Sequence, residues 1–353
     1  MNFAIITAIV GFVTSALRII SPSLIGDESY IQMYSIINGS LLIGSISYGI
    51  NNKLNISLLK NKEINCDVLS TLIFIICPVI YLHFLVGDYR VIHLIYLYLF
   101  TLIFGFHENM SSILVNKVKF KKYLGVELLY LLVFVVAFII PNVLLMLMLF
   151  VLCCYFIFTE FKLTFSEIQS KNKDKFGYAL SAAVTYILPV FIANNVSISD
   201  GSEFLMNFSA INLVISLTIM VNTKLTLIRG KLFPKDIVIG STLAILGCIL
   251  FWNLNRNLNF SSIFDFDLIL MFVVLLFMVS RIFHSASILF ERFNLGGHHG
   301  LLNSQLFRFG VVCILFSIIG ISNHSDYPYL YLAVIALINI TSSIYLFSRR
   351  TGS

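Results

Sequence analysis

Five charged side chains stand inside otherwise apolar runs of the sequence: Arg18, Arg281, Arg308, Glu108 and Glu127. An arginine at the centre of a lipid-spanning helix costs about 2.5–3.5 kcal/mol on insertion scales, so it normally faces a cavity or a partner. Its planar guanidinium offers paired donors that match phosphate and carboxylate, which makes anion binding the chemistry these arginines suit. Other chemistries find no support. The pair His298-His299 in Gly296-Gly297-His298-His299-Gly300 has no acid or cysteine at ligand spacing, and reads as a glycine-rich turn. No phosphate-binding Walker pattern, dinucleotide fingerprint or nucleophile elbow occurs, so no metal, cofactor or catalytic group is predicted.

The neighbours of the charged residues fall at helical spacing. Thr7, Gly11, Thr14 and Arg18 share one helix face, and Arg281 shares another with His284 and Ser285. Ser304 and Gln305 precede Arg308 by four and three residues, while His107, Glu108 and Asn109 lie together. These patterns predict a polar, net cationic cavity between two halves of the protein. Thr14, Asn38, Asn212 and Gln305 are its candidate hydroxyl contacts, and His107, Glu108 and Glu127 its candidates for coupling. A second reading stays open: Arg18 and Arg308 lie near span ends and can snorkel, and Glu108 can pair with one arginine.

The elements that carry these residues must be membrane helices. The chain has 353 residues, of which 59% are hydrophobic and 11% charged, against about 25% charged in a soluble domain. Its apolar residues form runs of roughly 18 to 25, long enough to cross a hydrocarbon core, without the alternation of a barrel strand. Twelve spans are expected, at 3–24, 31–50, 68–87, 91–115, 123–140, 143–161, 176–196, 204–228, 236–252, 268–290, 300–320 and 327–348. The shallowest break is Pro141-Asn142, where one long bent helix is the alternative. The first run carries Arg18 and no small-residue cleavage site, so it is expected to be a retained helix. Six cysteines are scattered without metal or redox spacing and read as small core residues.

Basic residues set the orientation, since cytoplasmic loops are enriched in Lys and Arg. Alternate loops and the tail hold Lys53, Lys60, Lys62, Lys117, Lys119, Lys121, Lys122, Lys162, Lys171, Lys173, Lys175, Lys224, Arg229, Lys231, Lys235, Arg292, Arg349 and Arg350. The opposite loops hold only Arg90 and Arg256, alongside eight acids from Asp27 to Asp326. Both termini are therefore expected in the cytoplasm, and the net charge of +6 reports topology, not nucleic-acid binding.

A weak internal repeat is also present. Tyr34-Ser35-Ile36-Ile37-Asn38 echoes Phe208-Ser209-Ala210-Ile211-Asn212, and Asn51, Lys53 and Leu54 match Asn222, Lys224 and Leu225. Pro22 and Pro189 lie near the ends of the preceding spans. Two six-helix bundles, 1–165 and 166–353, related by a pseudo-two-fold axis along the membrane normal, follow as the expected all-α architecture.

The stretch Ala16-Leu17-Arg18, Pro22, Leu24-Ile25-Gly26, Glu28, Tyr30, Tyr34 and Tyr48-Gly49 resembles the start of lipid-linked oligosaccharide flippases of the Wzx type. These belong to the superfamily that includes the multidrug (MATE) exporters. The resemblance is sharpest over residues 14–54 and fainter over 176–230. It implies a V-shaped pair of bundles in a bacterial inner membrane, moving an undecaprenyl-pyrophosphate-linked sugar unit to the periplasmic leaflet. It also implies membrane lipids, a polysaccharide polymerase and a chain-length regulator as partners, and Arg18, Arg281 and Arg308 as the pyrophosphate contacts. A drug or cation antiporter of the same superfamily is one alternative. A membrane-embedded polysaccharide polymerase or ligase, with Arg256, Asp265 and Asp267 as its only enzymatic candidates, is the other. Under the flippase expectation, Arg281→Ala abolishes export in a complementation assay while the protein still inserts; full export refutes the role.

Overall fold

The computed structural model describes residues 2–49, 63–65, 68–86, 89–116, 119–164, 172–258, 268–294, 301–322 and 330–348. The loop lysines at 53, 60, 62, 117 and 171, the 296–300 glycine run, Cys66, Asp265, Asp267 and the Arg349-Arg350 tail lie outside them.

Twelve α-helices occupy the described chain, one at each expected span. They are α1 (Asn2–Ile25), α2 (Asp27–Gly44), α3 (Val68–Tyr81), α4 (Val91–Asn116), α5 (Phe120–Phe138), α6 (Val143–Glu160), α7 (Asn172–Asn194), α8 (Ile198–Arg229), α9 (Pro234–Leu258), α10 (Leu268–Asn294), α11 (Leu301–Ser322) and α12 (Leu330–Ser348). Single π turns extend α2 over Ser45–Gly49 and α3 over Leu82–Val86. Among the described residues, five segments are long and apolar enough to cross a membrane: Ile5–Ile25, Val91–Val115, Ile198–Thr223, Leu268–Glu291 and Tyr331–Ser348. Large apolar side chains such as Phe84, Leu144, Phe158, Leu243 and Leu268 are exposed on α3, α6, α9 and α10. This is the surface of a helical membrane protein, where lipid takes the place of water.

The helix ends follow from local chemistry. Gly26 adopts φ 80°, in the left-handed region that favours glycine, and breaks α1 from α2. At the shallowest break the chain forms two helices, not one. Asn142 is extended there, and its side chain accepts from the amides of Leu144 at 2.8 Å and Leu145 at 3.3 Å, capping α6. Gly230, at φ 75°, ends α8, and Pro234 opens α9, where its missing N–H costs nothing.

Contacts group the described chain into two units. One holds residues 20–194, and the other holds 3–19 with 195–353. By contact, α7 groups with the first unit, where it packs along α2.

In the first unit α2 is the central helix, buried from Tyr30 to Gly44 at nearly every position. Its glycines allow close approach. A Cβ on Gly44 would lie 2.8 Å from the Thr101 carbonyl oxygen and 2.9 Å from the Gly105 nitrogen of α4. The Tyr81 ring occupies the space beside Gly39, and its hydroxyl donates to the Ser35 carbonyl at 2.8 Å. Small residues at such crossings are how apolar helices gain packing when no hydrophobic drive separates them from lipid.

Two tertiary contacts order the ends of this unit. Strand β1 (Glu63–Asn65) pairs in parallel with β2 (Lys162–Thr164), placing Glu63 opposite Lys162. Four helices, α3 to α6, separate the strands, and an even number of passes returns the chain to the same end. The second contact joins the ends of α3 and α7, where the Asn194 amide donates to the Leu85 carbonyl at 2.8 Å.

The second unit is built on α10, which packs most extensively on α12 and also against α8 and α9; α11 packs on α12. Gly44→Ala should destabilise the protein by about 1–3 kcal/mol through overpacking against α4 backbone. Gly247→Ala, which meets nothing within 4 Å, should leave the melting temperature in detergent unchanged. Equal melting temperatures for the two variants would contradict this close crossing.

Candidate anion-binding site

The second unit contains a fully buried arginine. Arg308, on the second turn of α11, has no exposed surface and is held by side chains from three helices. Its Nη1 lies 2.8 Å from His284 Nε2 of α10 and donates to Gln305 Oε1 of its own helix at 2.5 Å. Its Nη2 donates to Asn339 Oδ1 of α12 at 2.8 Å. The Asn339 amide in turn donates to Ser280 Oγ at 3.3 Å, and Gln305 Nε2 lies 3.1 Å from His284 Nε2. The Ser304 and Ser342 hydroxyls are hydrogen-bonded beside this network.

Every partner of this guanidinium is neutral or weakly basic. Among the described residues no carboxylate pairs with Arg308, and its buried Nε has no hydrogen-bond partner. A desolvated charge compensated only by dipoles favours an incoming anion, since the low-dielectric surroundings strengthen that attraction. Chemically, the site is a preorganised cation whose Nε donor is unused.

The other expected contacts are distributed as follows. Arg281 is half-buried on α10, one residue off the buried stripe Ser280, His284, Ser287 and Glu291. Arg18 is half-buried on α1, and Thr14 is buried one turn before it with its hydroxyl donating to the Gly11 carbonyl at 3.1 Å. Asn212 is half-buried on α8. Of these, Gln305 hydrogen-bonds Arg308 directly. Asn38 belongs to the other unit, buried on α2 with no hydrogen-bond partner for its Nδ2.

The candidates for coupling gather in the first unit. Glu127 of α5 is buried and lies 3.5 Å from His107 Nε2 of α4, an ion-pair distance without hydrogen-bond geometry. Ser111 donates to its other oxygen at 3.2 Å, and the His107 ring stacks on Tyr130 with centroids 4.2 Å apart. Glu108 faces elsewhere and accepts from Ser45, in the π turn of α2, at 3.0 Å.

Asn339, Ser342 and Ser280 escaped sequence reasoning. Their signal was present: Asn339, Ser342 and Ser343 recur at helical spacing in an otherwise apolar last span. Glu291, buried at the end of the α10 stripe, was likewise passed over because it falls just past the expected span.

The fold and site define a helical membrane protein with a buried, acid-free cation. No protein-family model, curated protein or solved structure matches the chain.

Arg308→Met should fold at least as well as the native protein, because the insertion cost of the charge disappears. The neutral members still pair with one another, Gln305 with His284 and Asn339 with Ser280. A thermal melt in detergent checks this; a clear fall in melting temperature would make Arg308 a structural residue.

Proposed function

We propose that this chain is a flippase for undecaprenyl-pyrophosphate-linked oligosaccharide units, working in a bacterial inner membrane with both termini in the cytoplasm. The observation that carries the reading is Arg308, buried without a carboxylate among the described residues. A scaffold helix gains nothing from such a charge, whereas a carrier of a dense anion requires one. In this reading the twelve helices are twelve spans. The shared end of β1 and β2 then agrees with the charge bias, which assigns the segments after α2 and after α6 to the cytoplasm.

Arg308 and its neutral frame attract the pyrophosphate, with Gln305 and Asn339 supplying the paired amides that orient it. Arg18 and Arg281 add positive potential on α1 and α10 of the same unit. The protein acts as a carrier, not an enzyme, and the sugar phosphates need no cofactor for the passage. The buried Glu127 beside His107 favours one second reading, a cation antiporter in which that carboxylate takes the transported or coupling cation.

Deleting the gene in its host and probing lipid-linked sugars with a membrane-impermeant sugar-modifying reagent tests the proposal. Single units trapped on the cytoplasmic leaflet are the expected result. Single units reaching the periplasmic leaflet would point to a polymerase, and no accumulation at all would favour the antiporter.

A further inference from the structure

Away from the arginine network, the turn between α8 and α9 gathers three cations around one aromatic ring. The Arg229 guanidinium carbon lies 5.7 Å from the Phe233 ring centroid, Lys231 Nζ 5.0 Å and Lys235 Nζ 5.8 Å. One acid answers them. Arg229 donates to Asp236 at 2.7 Å, which neutralises that pair. Lys231 and Lys235 are exposed, and among the described residues neither has an acid partner. Two uncompensated positive charges therefore share the exposed side of this turn.

Directly beyond Asp236 a groove of about 320 Å³ opens between α8 and α9. Its walls are mostly apolar, with Leu217, Val221 and Leu225 on one side and Ile239, Leu243 and Ala244 on the other; Thr218, Asn222 and the Arg229-paired Asp236 are its polar members. From Asp236 to Ala244, and from Leu225 back to Val214, it extends about 12–16 Å at a rise of 1.5 Å per residue. That is about half the 30 Å hydrocarbon thickness, or the depth of one leaflet. The Thr218 side chain packs closely on Gly240 at the groove's floor: a Cβ on Gly240 would lie 2.6 Å from Thr218 Cγ2.

We propose that the α8–α9 turn and groove form a binding site for an anionic diacyl phospholipid of the cytoplasmic leaflet. One acyl chain lies in the groove, and the phosphate sits on Lys231 and Lys235 beside the Phe233 ring. Charge complementarity selects the headgroup, and the one-leaflet length of the groove selects a membrane lipid over a soluble phosphate. The site rests on the orientation proposed above, with the α8–α9 turn at the cytoplasmic face, but not on the flippase activity.

Native mass spectrometry of the purified full chain, offered equal amounts of phosphatidylglycerol and phosphatidylcholine with identical acyl chains, tests the site. The native protein should retain phosphatidylglycerol preferentially, by about five-fold for each lysine engaged. Lys231→Gln with Lys235→Gln should remove that preference, while Leu243→Trp, which fills the groove, should reduce retention of both lipids. If the variants do not fold, the native protein serves: its preference should vanish at about 0.5 M salt, where exposed charges are screened. Equal retention of the two lipids by the native protein, or an undiminished preference in the double lysine variant or at high salt, would overturn the site. Displacement of phosphatidylglycerol by an equal amount of undecaprenyl phosphate would overturn its assignment to a diacyl lipid.

Discussion

Away from water, every polar group must find its partner inside the protein, and most of this structure follows from that. Backbone amides are satisfied within helices. Many buried hydroxyls are satisfied the same way, by folding back onto their own helix. Thr7 donates to the Phe3 carbonyl, Ser35 to Ile31, Ser47 to Ile43, Thr226 to Asn222 and Ser343 to Asn339, each one turn earlier. A serine or threonine in such a helix therefore says little about a site, and Thr14, bonded to Gly11, illustrates this.

The longer polar side chains also bond between helices. Arg308 joins α10, α11 and α12 through His284, Gln305 and Asn339. Glu127 joins α4 and α5 through His107 and Ser111. The two clusters differ in sign and lie in different units, one a cation framed by neutral groups, the other a carboxylate beside an imidazole.

The helix positions were legible because length and hydropathy are local properties. All twelve expected spans carry helices, including the pair divided at Pro141-Asn142, where hydropathy alone left one bent helix as an alternative. What decided that point was a cap, Asn142 bonding the amides of Leu144 and Leu145. The side-chain constellation was less legible. Gln305 and Arg308 stand three residues apart and could be grouped by spacing, but Asn339 lies 31 residues from Arg308 and Ser280 lies 59 from Asn339. Nothing in a one-dimensional pattern joins them.

Burial does not follow position along the helix. Arg281 sits nearer the middle of its span, yet it is half-buried, whereas Arg308, close enough to a helix end to snorkel, is wholly enclosed. The sequence by itself determined that the chain is helical, where the helices run, and which rare charged residues lie in apolar surroundings, because these depend on composition over a few turns. Only the tertiary structure decided which charges are enclosed, which helices supply their partners, and that α7 packs along α2. Those outcomes depend on how helices rotate about their axes and on close crossings such as Gly44 against Gly105, which contacts distant in the chain select.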